Sequence, residues 1–257
     1  MKVGIDSSLD TRTLVASGLT LLADAAKWLG QKPDFVIRPT GIGGNAGATP
    51  ASIVEIAALA SAGIRVGLYF NDSTLNGGAA PSYTLGINEG AEASRQLAAL
   101  GAPDTCPVLL DIEQNATLSP AYLQGFIKGA RRPVYVYGIP RLIGPSIEQS
   151  GVQLGMWASA WLQNPDGSPK ALDYANAAQL TLPTYGSLAP ACWQFCGNAF
   201  DGICDEDVST DAFCADLWDG HAAVSVPPVT VTTGSENGAK AAIASAIAEL
   251  QKAMTLL

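Results

Sequence analysis

The chain has 257 residues, 48% hydrophobic and 14% charged, with 23 acidic residues against 14 basic ones for a net charge of −9. This is ample apolar material for one large α/β domain and is far from a disordered composition. The acidity and the lack of any basic run argue against nucleic acid as a partner, and they match an anionic membrane surface poorly.

Short apolar runs alternate with helical patterns along the chain. "KVGID" reads as a first strand, and because it follows Met1 at once it reads as fold rather than as a signal peptide. No run approaches the roughly 20 apolar residues of a membrane span. The expectation is cytoplasmic synthesis, with virion association or signal-independent release as the ways out. Residues 11–29 read as a helix with Leu14, Leu21, Leu22 and Trp28 among its apolar positions. "DFVIRP" is a second strand. "TPASIVEIAALASAG" is a helix with Thr49 as N-cap, Pro50 at its first position and Gly63 as its stop. "IRVGLYF" is a third strand, and residues 84–100 form a helix ended by Gly101. "PVLLDIE" is a fourth strand. A helix capped by Ser119 with Pro120 at its first position follows. "PVYVYG", the short helix "IPRLIGPSIEQSG" and the strand "QLGMWASAW" continue the rhythm.

Residues 163–190 then read as long loops, "ACWQFC" as a seventh strand and "DEDVSTDAF" as a short eighth one or a closing extended segment. Alternation of this kind implies a parallel sheet, and six or more β units in this length favour a (β/α)8 TIM-type barrel, irregular in its last units. An open doubly wound sheet predicts a glycine-rich phosphate loop. The nearest candidate, "GIGGNAG", has neither the dinucleotide spacing nor a P-loop lysine. The barrel is expected over residues 1–220, a linker over 221–237 and an amphipathic helix over 238–257. In that helix Ile243, Ile247, Leu250, Met254 and Leu257 are spaced 4, 3, 4, 3, so it either packs back on the barrel or joins the chain to a partner or to further copies of itself.

Five cysteines are present, four of them between Cys192 and Cys214. Without neighbouring histidines their spacing is not a usual zinc pattern. Disulfides and free buried thiols both remain open. The single histidine, His221, sits in "WDGHAA" and reads as a loop residue, which leaves little room for a histidine-based nucleophilic site. No cofactor and no metal is expected, although clustered carboxylates also suit Mg²⁺ or Ca²⁺.

The carboxylates carry the functional signal. A barrel places its active site at the C-terminal ends of its strands. Asp6 ends the first strand, Asp111 and Glu113 end the fourth, and Asp205, Glu206 and Asp207 follow the seventh. Residues two apart on a strand share a face, so Asp111 and Glu113 should point together, and their repulsion should raise one pKa. One protonated acid beside an ionised one is the arrangement glycoside hydrolysis needs.

"GID", "LLDIE", "MWASAW" and "WQF…GICDEDVS" resemble glycoside hydrolase family 25, the lysozyme-like N-acetylmuramidases. "GAEASRQLAALGAP", "PVYVYG" and the late "WQF" are similar to its relatives, the glycoside-hydrolase-like barrels of domain of unknown function 1906. Together these matches cover residues 3–213. The resemblance implies Glu113 as general acid, and Asp111 as the group that orients it or stabilises the developing charge. It implies that Asp6 and Asp207 line the same mouth, and that Tyr69, Tyr137, Trp157 and Trp193 form walls on which sugar rings stack, with barrel core the competing role for Trp193. Two departures stand out: the cysteines around Asp207 and the glycine-rich "PTGIGGNAG". The function expected is a hydrolase acting on cell-wall peptidoglycan or a related polysaccharide. The alternative is a non-catalytic glycan-binding or structural module of a phage virion or tail, tethered by the C-terminal helix.

Overall fold

The structure is a computed structural model, which describes residues 1–41, 48–113, 116–152, 154–199 and 204–221. The expected linker beyond His221 and the C-terminal helix lie outside the described residues. Eight strands close into a barrel in chain order. They are β1 (Lys2–Asp6), β2 (Phe35–Pro39), β3 (Arg65–Phe70), β4 (Val108–Asp111), β5 (Val134–Gly138), β6 (Gly155–Ser159), β7 (Cys192–Asn198) and β8 (Cys204–Ser209). The helices are α1 (Leu21–Leu29), α2 (Ile53–Ser61), α3 (Tyr83–Ala99), α4 (Pro120–Ala130), α5 (Pro140–Ser150), the single turn α6 (Tyr174–Ala177) and α7 (Asp211–Asp216). None of the described helices is long and apolar enough to cross a membrane.

Strands β1 to β7 run parallel, but β8 is antiparallel to both β7 and β1. The irregularity expected in the last units is therefore a reversal. Only residues 199–203 join β7 to β8, too few for the dozen or more that a parallel crossover needs.

Two expected helix starts move. Residues 11–20 do not join α1: Leu14 bridges Thr20, and Thr11 gives both its N–H and its hydroxyl to Glu55 at 2.8 Å. Thr20 then caps α1 by accepting from the Ala23 N–H. The second helix is capped by Ser52, not Thr49, because the Thr49 N–H goes to the Ser8 carbonyl and the Ala51 N–H to the Pro39 carbonyl. The Ser119 cap, with Pro120 at the first position of α4, is as the sequence reads, and Gly101 follows α3 with φ +86°.

Helices α3 and α4 pack backbone to backbone. A Cβ at Gly86 or Gly90 would stand 2.2 or 2.1 Å from the carbonyl oxygens of Tyr122 and Phe126, and one at Gly125 or Gly129 would stand 2.1 Å from those of Tyr83 and Ile87. Pairs of glycines four apart put this bare stripe on one face of each helix.

One core lies between strands and helices, where Val3, Ile5, Val36, Leu68, Phe70, Leu110 and Val136 point outward under the helices. The other fills the barrel with Phe35, Ile37, Leu109, Trp157 and Cys192, and Phe213 of α7 closes its floor. The Phe213 ring meets Tyr135 edge-on at 4.9 Å and Phe35 at 5.9 Å. All five cysteines are unpaired and buried, so of the two alternatives the thiols are free.

Candidate active site

The period of two along each strand sorts the barrel interior into layers. Asp6, Tyr69, Asp111 and Tyr137 face inward at the upper ends of β1, β3, β4 and β5, and line a mouth of about 220 Å³ with Ser7, Trp157, Gln194 and Asp205. The reversed β8 places its acids from the top down. Asp205 pairs with Asp6 across the ladder, Asp207 pairs with Gly4 one layer lower, and Glu206 pairs with Ile5 and faces outward.

Each predicted residue can now be placed. Asp6, Asp111 and Glu113 meet at the mouth, with Tyr69, Tyr137 and Trp157 around them. Tyr137 and Trp157 touch at 4.4 Å between ring centres, and Tyr69 meets Trp157 edge-on at 6.5 Å. Asp207 is fully buried below the mouth rather than on its lining, and its Oδ1 accepts from the Trp157 indole N–H at 2.7 Å. Trp157 is thus floor more than wall. Trp193 faces the outer core, packs edge-on against Phe195 and donates to the Ala160 carbonyl at 2.6 Å, so the core role holds for it. His221 is exposed at the end of the described chain.

The side chain that joins the site is Gln194, which the sequence reading passed over. Its Nε2 donates to Asp6 Oδ2 and to Asp205 Oδ2, both at 2.9 Å. Its Oε1 accepts from Tyr137 at 2.9 Å, Ser159 at 3.0 Å and Trp161 at 3.1 Å. The signal was the "WQF" stretch, in which Gln194 is the inward residue two positions after the inward Cys192. Asn76 was missed as well. It clamps the end of β4, donating to the Asp111 carbonyl and accepting from the Glu113 N–H, both at 3.0 Å. The loop carrying Asn76 is pinned by buried Glu89, which accepts from the Ser73 hydroxyl, the Thr74 N–H and hydroxyl, and Tyr122 at 2.5 Å. On the opposite side the fully buried pair Arg38–Glu55, at 2.7 Å, holds the loop after β1 through Thr11 and the Ser7 carbonyl.

Burial sets the charge of the mouth. It raises the Asp6 pKa far above the ordinary carboxylate range, helped by the nearby Asp207 charge. It raises that of Asp111 likewise, with Glu113 and Asp6 adding to it. Asp205 is pushed up to about 8 by burial and the charge of Asp6, and Asp207 to about 7, mainly by burial. At neutral pH the mouth therefore carries protonated carboxyls, which can donate as well as accept. Glu113 is exposed above them. Asp111 Oδ1 is buried with no hydrogen-bond partner among the described residues, although Asp111 lines the mouth. No group of three or more His, Cys, Asp or Glu side chains among the described residues is arranged to hold a metal ion.

No protein-family profile and no curated protein matches the chain. Among solved structures it is similar to an uncharacterized protein of B. stearothermophilus, at 17% identity and TM-score 0.63 over 85% of this chain and 100% of that one. Weaker likenesses are the modular autolysin LytC of Streptococcus pneumoniae (18% identity, TM-score 0.46, 81% of this chain and 46% of that one) and a family 25 glycosyl hydrolase of Bacillus anthracis (15%, 0.43, 84% and 93%). Glycoside hydrolase family 25 proteins are thus among its structural neighbours, and the first likeness shows a shared fold.

Proposed function

We propose that the chain is a glycoside hydrolase-like protein that acts on cell-wall peptidoglycan or a related polysaccharide by carboxylate acid/base chemistry. The observation that carries this reading is the pair at the end of β4. Asp111 lines a mouth ringed by tyrosines, and Glu113 stands exposed above it. Sugars bring hydroxyls for the carboxyls and apolar ring faces for Tyr69 and Tyr137. The motifs shared with family 25 and with the barrels of domain of unknown function 1906 support the same reading.

In this scheme Glu113 protonates the glycosidic oxygen, because it is the carboxyl that reaches out of the mouth. Asp111 lies beneath it and orients it. Asp6 and Asp205, held in register by Gln194, place the sugar or the attacking water. Asp207 acts from below by adjusting Asp6. The test is release of reducing ends from purified peptidoglycan. The native chain should release them, and Glu113→Gln should lower the rate by about 10²–10⁴-fold with an unchanged thermal midpoint. A silent native chain, or a fully active Glu113→Gln variant, overturns the reading.

A further inference from the structure

Beyond Asp111 the chain keeps one neighbouring strand and loses the other. Toward β5 the ladder continues, because the Ile112 N–H donates to the Tyr137 carbonyl at 3.1 Å. Strand β3 ends at Phe70, and its pairs with β4 are Tyr69–Leu109 and Phe70–Leu110. The Asp111 carbonyl and the Glu113 N–H go instead to the Asn76 side chain, whose amide donates to the first and accepts from the second, both at 3.0 Å. One planar group thus supplies a donor and an acceptor to backbone groups two residues apart, as the backbone of a parallel neighbouring strand does. The Glu113 carbonyl is held too, by the Ala116 N–H at 2.9 Å. Both backbone groups of Glu113 are fixed, and its exposed side chain is the part left to reach a substrate.

The bracket that carries Asn76 is stiff. Leu75, next to it, is fully buried in the outer core. The Asn76 N–H returns to the Ser73 carbonyl, and the Gly77 and Ala79 N–H groups both return to the Thr74 carbonyl, all at 3.1 Å. Buried Glu89 of α3 accepts from the Ser73 hydroxyl at 2.9 Å and from the Thr74 N–H and hydroxyl at 2.8 and 2.6 Å. Asn76 therefore ties Glu113 to an anchor outside its own strand.

We propose that Asn76 is a positioning residue for Glu113. Its amide extends the pairing of β4 past the end of β3 and holds Glu113 in place over the mouth, with Glu89 anchoring the bracket. The inference rests on the acid role given to Glu113 above. An acid must stand within hydrogen-bond reach of the oxygen it protonates, and a misplacement of about 1 Å can cost about 10²-fold in rate. A residue that acts only through Glu113 lowers kcat and leaves KM in place, because the mouth and its tyrosines make the binding contacts.

The test is Asn76→Ala in the full chain, read by hydrolysis of soluble peptidoglycan fragments and by hydrogen exchange at the Glu113 amide. The variant should lower kcat by about tenfold to a hundredfold, with KM within about threefold of the native value. The Glu113 amide should exchange at least about tenfold faster once its acceptor is gone. In the Glu113→Gln background the same change should cost less than about threefold, because nothing is left to position. A native kcat, a loss confined to KM, an equal loss in the Glu113→Gln background, or unchanged exchange at Glu113 overturns the proposal. Should Asn76→Ala melt early, the near-isosteric Asn76→Leu, which lacks both hydrogen bonds, decides on the same criteria. A native chain that releases no reducing ends overturns hydrolysis, and exchange at Glu113 then decides whether Asn76 holds it. Hydrolysis by the native chain with a native kcat in Asn76→Ala overturns the positioning role and keeps hydrolysis.

Discussion

The lower and upper halves of the barrel interior are built from the same strands and solve opposite problems. In the lower half Phe35, Tyr135 and Phe213 fill the space, and glycines make room for them. A Cβ at Gly4 would stand 2.2 Å from the Phe35 ring, and one at Gly155 would stand 2.0 Å from Tyr135. Two residues further along, Gly4 gives way to Asp6 on β1, Leu109 to Asp111 on β4 and Cys192 to Gln194 on β7, while Tyr135 on β5 is followed by Tyr137. Large and small residues interlock below, as in other filled barrels. Above, acids are held with raised pKa values, and Asp111 keeps an oxygen without a partner among the described residues. The step of two residues therefore separates the part that stabilises the fold from the part that works at its expense.

The largest effect expected from disturbing this division is the Glu113→Gln loss of hydrolysis, about 10²–10⁴-fold in rate with little change in melting. The converse is a stability effect remote from the mouth. Gly90→Ala would drive a Cβ to 2.1 Å from the Phe126 carbonyl oxygen, so α3 and α4 must separate. The cost should be about 1–3 kcal/mol in denaturant unfolding, with the activity of the folded fraction retained. Gln194→Leu sits on the boundary between the halves. It removes two hydrogen bonds to Asp6 and Asp205 and leaves three donors unmatched. About 1–3 kcal/mol should be lost, and the pH profile of the rate should move with it, whereas a packing variant in the lower half should leave that profile in place.

A further effect is the dependence of stability on pH. Asp205 titrates at about 8 in the fold, and Asp207 at about 7, against an unfolded value of 3.8 for each. The native state binds more protons than the unfolded one across that window, so stability falls as pH rises. The thermal midpoint should be higher at pH 5 than at pH 8, and Asp205→Asn should flatten the slope. A midpoint that rises from pH 5 to pH 8 would remove the case for protonated acids in the mouth.

Local rules in the sequence determined a good deal. Period-two apolar runs gave the strands and put Asp6 and Asp111 at their inner upper ends, and the Ser119–Pro120 start and the Gly101 stop are set by backbone chemistry within a few residues. Where the sequence reading erred, a distant group had intervened. Glu55 holds Thr11 across 44 residues and keeps that stretch out of α1. Tertiary structure alone decided the rest. The five-residue link reversed β8, which raised Asp205 to the rim and sank Asp207 beneath it. Barrel closure brought β1 beside β8, so that one amide on β7 reaches carboxyls 188 and 11 residues away. Trp161 lies against β7 only because Gly197, on that neighbouring strand, leaves the space for its ring. The physical reason is that a hydrogen bond or a seat for a ring depends on which strands lie side by side, and no local periodicity carries that information.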